Sequence, residues 1–204
     1  DRVQSGRAAT AGSSEERYCA RFIAERRGGA LVLEEAKDRA RLLVRVIHGD
    51  PKINNIMVHP RTWQAVGMID LDTVKPGLVQ YDIGDCLRSG CNRAGEELAA
   101  GRAIRFDTGL CRHILDGYLS EARAFLHDTD LVYIYDAVRV IAFELGLRFF
   151  TDHLTGNAYF KTVHPGQNLV RAVNQFQLTE SIEASEQEIR DIVEELANRN
   201  GMSG

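Results

Sequence analysis

The feature that most constrains this chain is the stretch from Val46 to Arg88, VIHGDPKINNIMVHPRTWQAVGMIDLDTVKPGLVQYDIGDCLR. Asp50 is followed five residues later by Asn55 and, after a hairpin-like interval, by Asp70 and Asp72. That layout suits phosphoryl transfer. One carboxylate must accept the proton of an attacking hydroxyl, and hard Mg²⁺ asks for a few carboxylate or amide oxygens beside phosphate and water. Asp50 stands in the first position, and Asn55 and Asp70 stand in the second. A His-Gly-Asp tripeptide alone would carry little weight; the D-x₄-N spacing and the later acid carry the reading.

Composition sets the outer bounds. A chain of 204 residues, 44% apolar and 26% charged, can bury one sizeable core. Its net charge of −4 supplies no global basic field, so neither nucleic acid nor an anionic membrane is an expected partner. No apolar run approaches a spanning helix, and no signal-peptide pattern opens the chain. Cys19, Cys86, Cys91 and Cys111 show no C-x-x-C spacing, which argues for reduced thiols and a cytoplasmic setting. The chain begins at Asp1 rather than Met, so a piece of a longer polypeptide is expected.

Residues 1–14 read as a linker or disordered terminus. Ser13 and Glu16 form a capping-box pattern ahead of Tyr18, Cys19, Phe22 and Ile23 at helical spacing, with Gly28-Gly29 as the stop. A second helix is expected from Leu33 to about Val46, with Ala36, Ala40, Leu43 and Val44 inward. Asn55–Val58 and Trp63–Ile69 read as a strand pair that brings Asn55 and Asp70 to one edge. Lys75-Pro76-Gly77 reads as a turn and Gln80–Arg88 as a helix. From Asp107 the pattern is helical, with one apolar stripe from Leu110 to Phe125 and another from Leu131 to Phe149. Two last helices are expected over 167–181 and 185–198, with Ser185 and Glu188 as a second capping box. The fold class expected is therefore α+β and predominantly helical.

Three blocks carry a resemblance: HGDPKINNIMV from His48, MIDLDTVKPGLVQYDIGDCLR from Met68, and RFFTDHLTGNAYFK from Arg148 with NLVRAVNQ from Asn168. With them the chain resembles the C-terminal lobe of the aminoglycoside phosphotransferase-like kinases, within the protein-kinase-like superfamily. It looks most like the N-acetylhexosamine 1-kinases. The resemblance implies Asp50 as catalytic base, Lys52 against the transferring phosphate, and Asn55 and Asp70 as Mg²⁺ ligands. His48 and Asp82 would brace the catalytic loop. Asp72 stands where a D-F-G motif has glycine, and could reach a second Mg²⁺, a substrate hydroxyl or water. Arg148 and Tyr159, with Arg88, would contact a sugar. ATP is the implied co-substrate.

Such a kinase also grips its nucleotide with a Gly-rich loop and a strand lysine. Before His48 there is no G-x-G-x-x-G, and the earlier lysine, Lys37, falls in an amphipathic helix. The expectation is a kinase-like lobe over 15–204, inactive alone, whose ATP lobe lies elsewhere on the same polypeptide and docks on an apolar seam. Aminoglycoside or choline-type acceptors, and a non-catalytic binding module, are the alternatives.

Overall fold

Ser13 accepts a hydrogen bond from the Glu16 N–H at 3.1 Å, and its own N–H donates to the Glu16 carboxylate at 3.1 Å. This reciprocal box satisfies two donors that the helix leaves open. It starts α1 (Ser14–Arg26) in a computed structural model that describes residues 12–95 and 103–201. Most of the expected linker lies outside the described residues. After α1 come α2 (Val32–Asp38), β1 (Val44–Ile47), β2 (Ile56–Val58), β3 (Ala65–Met68), β4 (Lys75–Leu78) and α3 (Val79–Gly90). Then follow α4 (Thr108–Ala122), α5 (Asp128–Val132), α6 (Ile134–Leu154), α7 (Gln167–Ala184) and α8 (Glu186–Gly201). The described residues are mostly helical with two small antiparallel sheets, β1–β4 and β2–β3.

Two expectations fail together. The helix expected to reach Val46 stops at Asp38, and Ala40 follows at φ 54°. Residues 44–47 then pair with β4, Val44 opposite Leu78 and Ile47 opposite Lys75. Three of these four residues are β-branched, a composition that favours a strand once a partner exists. The partner is the segment read as a turn. Pro76 is tolerated there because a two-stranded ribbon is all edge. The inward set changes accordingly: Ala36 is buried, Leu43 and Val44 are exposed, and Leu42 takes the core position.

The expected hairpin exists but is shorter. Ile56 lies opposite Met68 and Met57 opposite Gly67. Asn55 sits in a helical turn just before β2, and Trp63, at φ 58°, precedes β3 instead of starting it.

The central helix is α6, which packs along α3 on one side and α7 on the other. On the α7 side, Phe22 of α1 stacks on Phe176 with ring centroids 4.6 Å apart, and Phe143 joins them. Leu131, Ile134, Val138, Ala142 and Phe149 are buried as the stripe implied. Phe125 is the exception on α4's stripe: the helix ends at Ala122, and Leu126 goes inside instead. Ser185 lies between α7 and α8, where its hydroxyl donates to the Ser181 carbonyl at 2.9 Å.

The α3–α6 contact depends on Gly84. A Cβ there would stand 2.9 Å from both the carbonyl carbon and oxygen of Ala137, atoms of a helix backbone that cannot step aside. Gly84→Ala should therefore lower unfolding stability by about 1–3 kcal/mol, the usual range for overpacking. Urea denaturation of the two proteins, compared at equal m-value, checks this.

Candidate active site

β1 delivers the chain to His48, and the loop that follows is held from several sides. From α3, the Asp82 carboxylate accepts the His48 N–H at 2.7 Å and the Gly49 N–H at 2.9 Å. Gly49 has φ 85°, and a Cβ would lie 2.7 Å from the Thr73 carbonyl, so only glycine fits. The His48 ring joins two segments: Nε2 is 3.0 Å from the Ile69 carbonyl, and Nδ1 accepts the Asp50 N–H at 3.3 Å. These contacts put the proton on Nε2 and the lone pair on Nδ1. The Thr73 hydroxyl closes the frame by donating to the His48 carbonyl at 2.7 Å.

Within that frame Asp50, Asn55 and Asp70 come together. The Asn55 amide nitrogen is 2.8 Å from the Asp50 carbonyl, 3.2 Å from its carboxylate and 3.4 Å from the Asp70 carboxylate. Ile69 N–H donates to the Asn55 carbonyl at 2.9 Å, which ties the two ends of the hairpin to each other. Asp70 sits at φ 66°, ψ 49°, a left-handed conformation that aspartate tolerates better than most residues. Lys52 Nζ is 2.6 Å from the Asp50 carboxylate. That bond raises the lysine pKa against the opposing effect of burial, and the charges of Asp50, Asp70 and Asp85 add to it, so Lys52 stays charged. Asp72 is exposed in the short turn 71–73, two residues beyond Asp70.

Asp50 and Lys52 open onto a cleft of about 600 Å³, which Arg88, Arg148 and Tyr159 also line. The residues read from sequence as catalytic and as substrate-binding thus share one cavity. Arg88 is buried and donates to Asp85 at 2.8 Å. Arg148 lies 3.8 Å from Glu144, one turn back on α6, and 3.4 Å from the Tyr159 hydroxyl. Its guanidinium carbon sits 5.6 Å from the Tyr159 ring centre and 5.4 Å from that of Phe160. A cavity of similar volume, about 550 Å³, lies between α5, α6 and α8, but it holds none of these residues.

Three contributors escaped the sequence reading. Asp85 follows Asp82 by three positions, so α3 turns both toward the loop and cleft; that spacing was the available signal. Thr73 had no local signal, since its partner is 25 residues away. Asp152 is buried, and it accepts the N–H groups of Tyr159 and Phe160 at 2.8 and 2.9 Å and the Asn168 amide at 2.8 Å. It anchors the loop that carries Tyr159. Among the described residues no cluster of three or more His, Cys, Asp or Glu side chains is arranged to hold a metal. The donor set at the loop is two carboxylates and an amide.

The grouping of Asp50, Asn55 and Asp70 beside a cleft has the residue types that kinase-like phosphotransferases use. The sequence model of the phosphotransferase enzyme family matches residues 7–118. More than half of the chain is matched, and the chain belongs to that family. Membership implies a phosphotransferase acting on a small molecule, in a family that generally uses ATP and Mg²⁺. The match contains Asp50, Asn55 and Asp70 and stops short of Arg148 and Tyr159. No helix among the described residues is long and apolar enough to cross a membrane.

Burial acts to raise the pKa of Asp152, but the N–H groups of Phe160, Tyr159 and Ala158 and the Asn168 amide outweigh it and hold the carboxyl below its ordinary value of 3.8. A depressed folded-state pKa stabilises above the unfolded value and loses that contribution as pH falls through the folded value. Asp152→Ala should cost about 3 kcal/mol near neutrality, because several buried donors lose their acceptor. The difference from wild type should shrink below about pH 4. Thermal unfolding measured across pH reads both effects.

Proposed function

We propose that this chain is the catalytic and acceptor-binding lobe of an ATP- and Mg²⁺-dependent sugar kinase that phosphorylates the anomeric hydroxyl of an N-acetylhexosamine. The observation that supports it best is the shared cavity, which Asp50, Lys52, Arg148 and Tyr159 all line. Asp50 would take the proton of the attacking hydroxyl. The sugar oxygen would bond to the terminal phosphorus as the bond to the departing ADP oxygen breaks. Lys52, kept charged beside Asp50, would spread the developing negative charge.

The donor set suits a hard cation. The Asn55 amide and the Asp70 carboxylate would hold Mg²⁺, with Asp50 next to them, and an amide offers a carbonyl oxygen as readily as its nitrogen. When bound, the ion would neutralise the donor phosphates. His48, Asp82 and Thr73 would act on the reaction only by fixing where Asp50 points. Asp72 faces solvent, and we assign it a role only if nucleotide phosphates extend that far.

Acceptor choice follows from polarity. A polycationic aminoglycoside needs converging free carboxylates, whereas here Asp85 is paired with Arg88 and Glu144 faces Arg148. Guanidinium and phenol groups suit ring hydroxyls and an acetamido carbonyl.

A nucleotide-gripping lysine is expected on a strand. Lys37 pairs with Glu34 on α2 and is not carried on a strand. Of the eighteen large hydrophobics exposed among the described residues, twelve lie between Leu43 and Val74, on or beside the two small sheets. Apolar surface so concentrated marks an interface. We assign it to an ATP lobe of the same polypeptide.

In the polypeptide carrying both lobes, Asp50→Asn should lower kcat by about 10²–10⁴-fold, the usual worth of a general base, with little change in sugar binding. Asp70→Ala should lose activity that excess Mg²⁺ partly restores. Near-wild-type turnover by Asp50→Asn would assign the proton transfer elsewhere. A substrate panel tests the acceptor: N-acetylglucosamine or N-acetylgalactosamine should give the 1-phosphate, identified by ³¹P NMR. Phosphorylation of kanamycin-like amines or choline alone would move the reading to another acceptor class.

A further inference from the structure

α3 carries two acids with different tasks. Asp82 holds the backbone N–H groups of His48 and Gly49, and Asp85, one turn further along the same helix, lines the cleft. The element that fixes the catalytic loop therefore also fixes Asp85, and the carboxylate keeps a constant relation to Asp50. Asp85 is near enough to the catalytic pair that its charge, with those of Asp50 and Asp70, helps to keep Lys52 protonated.

The Asp85 carboxylate is held in place and already compensated. One oxygen, Oδ1, accepts the Arg88 Nε–H at 2.8 Å, and the Arg88 side chain is only 4% exposed. Separating a guanidinium buried to that degree from its partner is costly, so Asp85 stays where Arg88 holds it. Among the described residues no donor meets its other oxygen, Oδ2. Such a pair is close to neutral overall and still has a strong acceptor open, which suits a neutral donor better than a cation. Glu144, the third acid of the cleft, lacks this backing: it lies 3.8 Å from Arg148, and both side chains are about half exposed.

The other polar groups of the cleft call for such an acceptor. Lys52, Arg148 and Lys161 can only donate, whereas a ring hydroxyl must also place its own proton. Asp50 serves the hydroxyl that is phosphorylated. We infer that Asp85 serves another: its open oxygen accepts a hydrogen bond from a second ring hydroxyl of the acceptor sugar, and so sets the orientation in which the first reaches Asp50. This rests on the sugar-kinase reading and adds to it a residue that selects among sugars. A sugar lacking that hydroxyl leaves Asp85 without its donor, the kind of loss by which polar pockets reject analogues.

Calorimetric titration of the 204-residue chain with N-acetylglucosamine and its 3-, 4- and 6-deoxy analogues tests it. One of the three analogues should bind about tenfold more weakly than the parent sugar, the worth of one hydrogen bond to a charged acceptor. In Asp85→Ala that ratio should fall close to one, because parent and analogue then lack the same bond. Asp85→Asn keeps a neutral acceptor of the same shape and should bring the ratio to about threefold, since a neutral bond has about half the strength. A merely structural role for Asp85 would weaken parent and analogue alike and leave the ratio unchanged. An unchanged ratio in folded Asp85→Ala, or equal binding of all four sugars by the wild type, overturns the inference and leaves the sugar-kinase reading standing. Failure of every sugar to bind defeats both. Urea denaturation shows whether Asp85→Ala folds; if it does not, Asp85→Asn decides alone, and a ratio unchanged from wild type overturns the inference.

Discussion

The grip of the Asp82 carboxylate on two consecutive backbone N–H groups, those of His48 and Gly49, is the contact on which the rest of the site depends. A loop between short strands has no periodic hydrogen bonding of its own, so its geometry must be imposed from outside. Here α3 imposes it, and α3 is located by the close approach of Gly84 to the Ala137 backbone of α6. The position of Asp50 thus traces through one carboxylate to a helix–helix contact. The same two helices present the cleft: α3 through Asp85 and Arg88, α6 through Glu144 and Arg148. Loop and cleft keep their mutual distance because they share supports.

The hairpin works on a different principle. Its two strands are short, and apart from the half-buried Ile56 their larger side chains, Met57, Val58, Val66 and Met68, are exposed. It contributes little to the core; its strand pairing and the Ile69-to-Asn55 bond instead hold Asn55 and Asp70 side by side. The exposed apolar residues that flank the loop cost solubility unless something covers them, which makes them an expense that binding of another lobe would recover.

Charge is arranged with comparable economy. Asp130 and Asp152 are both buried acids, and each is satisfied by backbone N–H groups or paired cations rather than left to face a cleft. Each acid thereby becomes an anchor, Asp130 for the entry into α5 and Asp152 for the segment that carries Tyr159.

Much was legible from the residues alone. The D-x₄-N spacing, the later Asp70, the Ser13 capping box and the apolar stripes of α4 and α6 depend on local intervals, and local intervals are what sequence encodes directly. The pairing of β1 with β4 was not legible. Val44–Ile47 is compatible with either a helix or a strand, and the choice was made by a partner about thirty residues away. Thr73's bond to the His48 carbonyl, 25 residues back, is likewise a long-range fact. The sequence by itself determined which chemical groups are present and at what intervals along the chain. Only the tertiary structure decided which of them meet, because that depends on strand partners and helix contacts that bring distant segments to one place.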